Sequence, residues 1–191
     1  TLEGKYPTWH LADSKFFSQV RRGCWFINSC RGAVHDTNAL LEAHRKGLVE
    51  EIILDCWENE PQISQELLSV VSIATPHIAG FSADGKATAT RMCLEEIQRF
   101  FAVQFERLGE VVPPPPAQPL IDLDSFADHR IENAFLHTFD PLIIDKKLRE
   151  DPSSFEWLRN HYDHPREPLA YQIKQATAEE KALLQKIGFG V

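Results

Sequence analysis

Apolar positions along this chain switch between two spacings, and the switching predicts helices and strands in turn. Phe16, Phe17 and Val20 recur at helical spacing behind Asp13, a helix-capping residue type, and Gly23 closes the segment. Cys24 to Asn28 (CWFIN) is a short apolar run suited to a buried strand, and Gly32 after it allows a tight turn. Thr37, or Asp36 before it, caps a second helix through Leu40, Leu41 and Ala43 that stops at Gly47. Val49 to Leu54 reads as a second strand ending at Asp55. Ser64 opens a short helix with Leu67, Leu68 and Val71, and Ile73 to Thr75 is a very short third strand before Pro76. A long helix is predicted from Ala83 to Leu108, where Met92, Ile97, Phe100, Phe101, Phe105 and Leu108 form a broad apolar stripe for packing.

Pro113 to Pro116 interrupt regular structure and favour a stiff, extended spacer. The expected division is therefore a first domain over 1–82, a connecting helix over 83–112, a linker over 113–119 and a second unit over 120–191. Strands alternating with helices in the first part predict an α/β fold with a parallel sheet. In the second part, Leu120, Ile121 and Leu123 suggest a strand, and Glu132 to Phe139 a helix. Phe155, Leu158 and Tyr162 have helical spacing behind Ser153 or Ser154. Tyr171 and Ile173 alternate like a strand, and Thr177 caps a last helix through Leu183 and Leu184 that Gly188 ends. This small α+β unit has a thin core and is expected to gain stability by packing on a partner chain.

The chain has 191 residues, 43% of them hydrophobic, enough for one good core or two small ones. A formal net charge of -8 argues against a bulk nucleic-acid binder, because phosphate backbones need clustered Lys and Arg. Cys24, Cys30, Cys56 and Cys93 form no CxxC pair and no ligand spacing with histidines, so free thiols and no metal are expected. No apolar run approaches the roughly 20 residues of a membrane helix. Thr1 to Tyr6 lack the basic and then apolar regions of a signal peptide, so a soluble, cytoplasmic protein is expected. The first residue is not Met and the opening looks turn-like, which suggests a fragment.

Three polar residues stand just past the predicted strands: Arg31, Asp55 and His77. In parallel sheets, ligands bind beyond the carboxyl ends of the strands, so the three can converge on one crevice. His77 lies in TPHIAG, where Pro76 fixes the backbone before it and Gly80 permits close approach. A lone His is more often structural than catalytic. Glu60, in DCWENEP, changes the reading, since a carboxylate beside a His holds one tautomer and makes an acid/base device near neutral pH. Arg31 offers a planar fork matched to a carboxylate; a structural salt bridge is the alternative.

INSCRGAVHDTNAL from Ile27, LDCWENEP from Leu54 and TPHIAG from Thr75 stand in one order and spacing. Together they resemble the catalytic half of the D-2-hydroxyacid dehydrogenases. PTWHLAD near the start, SSFEWLRNHYDHPRE and the closing KIGFG extend the resemblance to the erythronate-4-phosphate dehydrogenase family. The resemblance implies the second half of a Rossmann-type NAD-binding domain followed by a small dimerisation domain. It implies Arg31, Glu60 and His77 as catalytic residues, with Arg31 gripping the substrate carboxylate. Ser29, Cys30, Arg31, Asp55 and Gly80 match cofactor positions, with NAD as cofactor. Phe81 stands where that family usually has a substrate-touching Tyr. The implied reaction is oxidation of a phosphorylated 2-hydroxy acid in pyridoxal phosphate biosynthesis by a homodimer. Another D-2-hydroxyacid dehydrogenase, such as phosphoglycerate dehydrogenase, and a non-catalytic corepressor-like module on the same fold are the alternatives. No GxGxxG occurs in the chain, so the pyrophosphate loop and the substrate domain are expected upstream of Thr1.

Overall fold

A computed structural model describes residues 4–191; the turn-like opening expected over Thr1 to Tyr6 lies partly outside them. The element order is α1 (Ser14–Gln19), β1 (Cys24–Asn28), α2 (Thr37–Arg45), β2 (Val49–Leu54), α3 (Gln65–Val70), β3 (Ile73–Ala74), α4 (Ala83–Phe101), β4 (Leu120–Asp122), α5 (Arg130–Thr138), α6 (Pro141–Glu150), α7 (Phe155–His161), β5 (Gln172–Lys174) and α8 (Ala178–Lys186). Local chemistry accounts for most helix starts. The side chains of Asp13, Asp36 and Ser64 accept the N–H of Phe16, Ala39 and Leu67 respectively, and Thr177 closes a reciprocal capping box with Glu180.

Contacts divide the chain into two units. One comprises the described chain up to Ala79 together with Pro141–Tyr162, and the other comprises Gly80–Asp140 with Asp163–Val191. The helix pair α6–α7 thus belongs with the first strands, although it lies beyond the proline run.

In the first unit, β1, β2 and β3 form a parallel sheet in that order. Its register sets Asn28 level with Leu54, and Leu54 level with Ala74, so the three following loops leave the sheet side by side. Leu40, Ile52, Leu54 and Leu67 are almost fully buried around it, joined by Leu148 and Phe155 from α6 and α7. The expected burial of β1 holds for only part of the strand. Trp25 and Ile27 are 67% and 61% exposed, because among the described residues nothing covers that face of the edge strand.

Asp145 and Arg149 of α6 hold this unit together by a route the hydrophobic pattern does not reveal. Arg149 makes a two-pronged pair with Asp145, at 2.8 and 2.9 Å, and donates to the carbonyls of Leu68 and Val71, each at 2.7 Å. Asp145 in turn accepts the Ala74 N–H at 2.7 Å. The end of α3 and strand β3 are fixed by one ion pair, and β3 leads directly to His77.

The second unit has the smaller core. Ile121, Leu123, Ala134, Tyr171, Ile173, Leu184 and Phe189 make its core, and β4 pairs parallel with β5. The long helix differs from expectation in two respects. It ends at Phe101, seven residues before Leu108, because Ala102 turns left-handed with φ of 51° and both Ala102 and Val103 return their N–H groups to Gln98. Its apolar stripe is not packed within the described chain: Met92, Phe100 and Phe101 are 60%, 82% and 64% exposed.

Candidate active site

The loop after β2 folds back on itself through Glu60. The Trp57 N–H donates to Glu60 Oε1 at 2.7 Å, which leaves Oε2 for His77 Nδ1, also at 2.7 Å. Trp57 Nε1 donates to the Thr75 carbonyl at 3.0 Å and joins this loop to the one that carries His77. His77 has a φ of 56°, a left-handed conformation that costs a non-glycine residue energy and persists where neighbours impose it. Its N–H donates to the Asp55 carbonyl at 2.7 Å. The His77 and Glu60 side chains are 15% and 19% exposed, shielded yet reachable.

Asp55 supplies the neighbouring restraint. Its carboxylate accepts the Thr75 hydroxyl and the Ile78 N–H at 2.7 Å and the Ala79 N–H at 3.1 Å, and the residue is 5% exposed. Those bonds hold the loop on both sides of His77. Burial, with the charges of Asp55 and Glu60, pushes the adjacent Cys56 thiol up to about 12, so it stays protonated at neutral pH. Tyr162, at the end of α7, is likewise pushed up to about 12 by burial and by Asp55, and its hydroxyl reaches the Ile78 carbonyl at 3.4 Å.

The loop after β1 is organised by Asn28, which is 3% exposed. Its amide nitrogen donates to the Arg31 carbonyl at 2.9 Å and to His35 Nδ1 at 3.0 Å, while its oxygen accepts the Cys30 N–H at 3.0 Å. Gly32 has a reason other than a turn. A Cβ there would lie 1.9 Å from the Trp57 carbonyl oxygen, so only glycine lets the Arg31 loop touch the Glu60 loop. Glu58 strengthens the junction, accepting from His10 Nε2 at 2.6 Å and from the Thr37 N–H at 2.7 Å. Burial opposes the Glu58 charge, but these bonds outweigh it and hold the carboxyl below its usual range.

Ser29, Cys30 and Arg31 are exposed on this loop, and the Arg31 guanidinium donates to the Cys30 carbonyl at 2.5 Å. The structure therefore joins Glu60 directly to His77 and sets the Arg31 and Asp55 loops beside them. Gly80 and Phe81 belong to the second unit. A Cβ on Gly80 would meet nothing within 4 Å, and Phe81 is 45% exposed with Lys86 Nζ 5.7 Å from its ring centre. Asn28 and Glu58 are the positioning residues that sequence reasoning missed. Both stand inside the quoted motifs, but their role depends on strand register.

A family profile described as D-isomer specific 2-hydroxyacid dehydrogenase, NAD binding domain, matches residues 4–79. Those residues are what is similar to that family, and they are less than half of the chain. The match covers the three strands and their loops, with Arg31, Glu60 and His77 inside it. Over the whole chain, the erythronate-4-phosphate dehydrogenase of Porphyromonas gingivalis is 50% identical across 99% of this chain and 52% of its own length. That of Bacteroides thetaiotaomicron is 48% identical across 90% of this chain and 47% of its own. Apo D-mandelate dehydrogenase of Rhodotorula graminis is a solved structure with 32% identity and a TM-score of 0.46, covering 51% of this chain and 29% of that one. The chain spans about half the length of the curated relatives it matches. Among the described residues, no helix is long and apolar enough to cross a membrane.

Proposed function

We propose that the full-length protein is an NAD-dependent dehydrogenase that oxidises 4-phospho-D-erythronate to 2-oxo-3-hydroxy-4-phosphobutanoate, a step of pyridoxal 5'-phosphate biosynthesis. The observation that carries the chemistry is the 2.7 Å contact of Glu60 with His77 at the carboxyl ends of parallel strands. The likeness to erythronate-4-phosphate dehydrogenases over nearly the whole chain supports the choice of substrate.

Alcohol oxidation has to remove a hydroxyl proton while a hydride leaves the same carbon. His77 is the base. Glu60 holds Nδ1 as the N–H end of the ring, which leaves Nε2 free to take the proton. The same carboxylate steadies the imidazolium that results. Positioned general bases contribute about 10²–10⁴-fold. Arg31, exposed and planar, binds the carboxylate next to the reacting carbon and orients it.

NAD, when bound, supplies the hydride acceptor. The residues in this chain fit part of such a ligand. Ser29 and Cys30 are exposed at the end of β1, and Gly80 has open space where a Cβ would stand. Asp55 is assigned to the nicotinamide end, although its buried carboxylate is already engaged with the His77 loop. Phe81 is assigned to the substrate side. The pyrophosphate loop and the substrate domain are assigned to the half of the relatives' length that this chain does not span; the uncovered Trp25 and Ile27 on β1 are consistent with a missing neighbour. We assign a cytoplasmic homodimer formed through residues 120–191, where exposed Ile143, Trp157 and Leu169 leave apolar surface to cover.

The test is NADH formation by full-length protein supplied with NAD and 4-phosphoerythronate or 3-phosphoglycerate. Turnover of the first in preference to the second is expected. Preference for 3-phosphoglycerate would overturn the substrate assignment, and no turnover of any 2-hydroxy acid would overturn the enzyme reading. Light scattering at high protein concentration checks the dimer.

A further inference from the structure

Cys56 takes no part in the proposed chemistry, yet it completes a cluster with the two residues that do. Its Sγ, a carboxylate oxygen of Glu60 and a ring nitrogen of His77 all lie within 4.8 Å of one another. We propose that Cys56, Glu60 and His77 form a zinc-binding site that switches the Glu60–His77 pair off.

The donor set selects the metal. A thiolate, an imidazole and a carboxylate together suit zinc or cobalt and poorly suit magnesium or calcium, which take oxygen ligands. Three protein ligands with a fourth position for water make a usual zinc arrangement. Zinc binds sulfur at about 2.3 Å and nitrogen or oxygen at about 2.0–2.2 Å, so its ligand atoms stand roughly 3–4 Å apart. The 4.8 Å limit is close to this, and the 2.7 Å contact of Glu60 with His77 must open by roughly half an ångström.

The local field favours a cation. The Asp55 carboxylate lies 3.7 Å from the Cys56 sulfur and Glu60 stands in the cluster itself, so negative charge faces the place a divalent ion would take. Metal binding replaces protons. The Cys56 S–H bond breaks and its proton leaves to solvent, while sulfur donates its electron pair to zinc. His77 Nδ1 also donates its lone pair, so the proton it shared with Glu60 moves to Nε2 and the ring stays neutral. Nε2 then carries a hydrogen and cannot accept one from a substrate hydroxyl. Glu60, now a ligand, no longer steadies an imidazolium. Cys56 is buried, but Glu60 and His77 are each partly exposed and give the ion a way in.

The inhibitory consequence rests on the acid/base role proposed for His77; binding itself does not. The closing experiment separates the two. Cobalt(II) is added to full-length protein without NAD or substrate, and near-ultraviolet absorption reports thiolate-to-cobalt charge transfer. A band is expected that zinc abolishes, that Cys56→Ser, Cys56→Ala and His77→Gln lack, and that Cys30→Ser and Cys93→Ser retain. Circular dichroism checks that each variant is folded. In parallel, zinc is titrated into the NADH-forming assay, where Cys56→Ser should need at least roughly tenfold more zinc for half inhibition. No band, or a band that survives in folded Cys56→Ser, overturns the site. A band in a protein without dehydrogenase activity supports the site and overturns the proposed function.

Discussion

The loops that meet at the candidate site are built on two opposite plans. In the Glu60–His77 loops most polar atoms are spoken for: Glu60 binds Trp57 and His77, Asp55 binds Thr75, Ile78 and Ala79, and Trp57 binds Thr75. The Arg31 loop is fixed in its backbone by Asn28, but the guanidinium is exposed and reaches only to the carbonyl of its neighbour Cys30. A base must be held in one tautomer before substrate arrives, because proton transfer needs a fixed geometry. An anion clamp can stay solvated until its anion displaces water. On the proposed assignment, the difference separates a preorganised base from an anion clamp that its ligand orders.

That contrast can be broken from either side. Arg31→Gln removes charge-assisted bonds worth about 1.5–3 kcal/mol to a bound carboxylate, so kcat/KM of the full-length protein should fall roughly 10- to 10²-fold. The melting temperature should not move, since the guanidinium holds nothing else in the described structure beyond its neighbour's carbonyl. A large loss of stability would mean that Arg31 is a structural residue instead. Gly32→Ala attacks the seam between the loops. Its Cβ would sit 1.9 Å from the Trp57 oxygen and 2.6 Å from the Glu58 nitrogen, both backbone atoms with little freedom to yield. The expected cost is about 1–3 kcal/mol, read as a lower melting temperature. Unchanged stability would show that the two loops are not in contact.

The third effect is smaller and acts through pH. His35 is fully buried, and burial lowers its pKa below 6.5. Glu58 and Asp36 oppose that shift and His10 adds to it. The unfolded chain therefore binds a proton more readily than the fold, so stability should fall as pH drops below about 6.5. Protonation of His35 Nδ1 would also end its bond from Asn28, which organises the Arg31 loop. Melting temperatures measured between pH 7 and 5 should decline in the unmodified protein and decline less in His35→Gln. Equal slopes would remove His35 from the account.

How much of this was legible beforehand depends on distance along the chain. Caps at Asp13, Asp36, Ser64 and Thr177 act over three residues, and the sequence pattern finds them. The end of α4 was overrun because apolar residues continue to Leu108, while the left-handed Ala102 that stops the helix has no marking residue type. Helix α6 was missed altogether. Its place depends on Arg149 reaching carbonyls about 80 positions earlier, which no periodicity encodes. The pairing of Glu60 with His77 was legible through motifs. The cluster with Cys56 was not, because Cys56 lies 21 positions before His77 in sequence and the strand register brings them together.

The most direct measurement is the rate of NADH formation by full-length His77→Ala beside the unmodified protein, with NAD and 4-phosphoerythronate and with folding checked by melting temperature. A fall of at least about 10²-fold at unchanged stability is the expected result. An unchanged rate in a folded variant would contradict the assignment of His77 as the base, and with it the reading of this site.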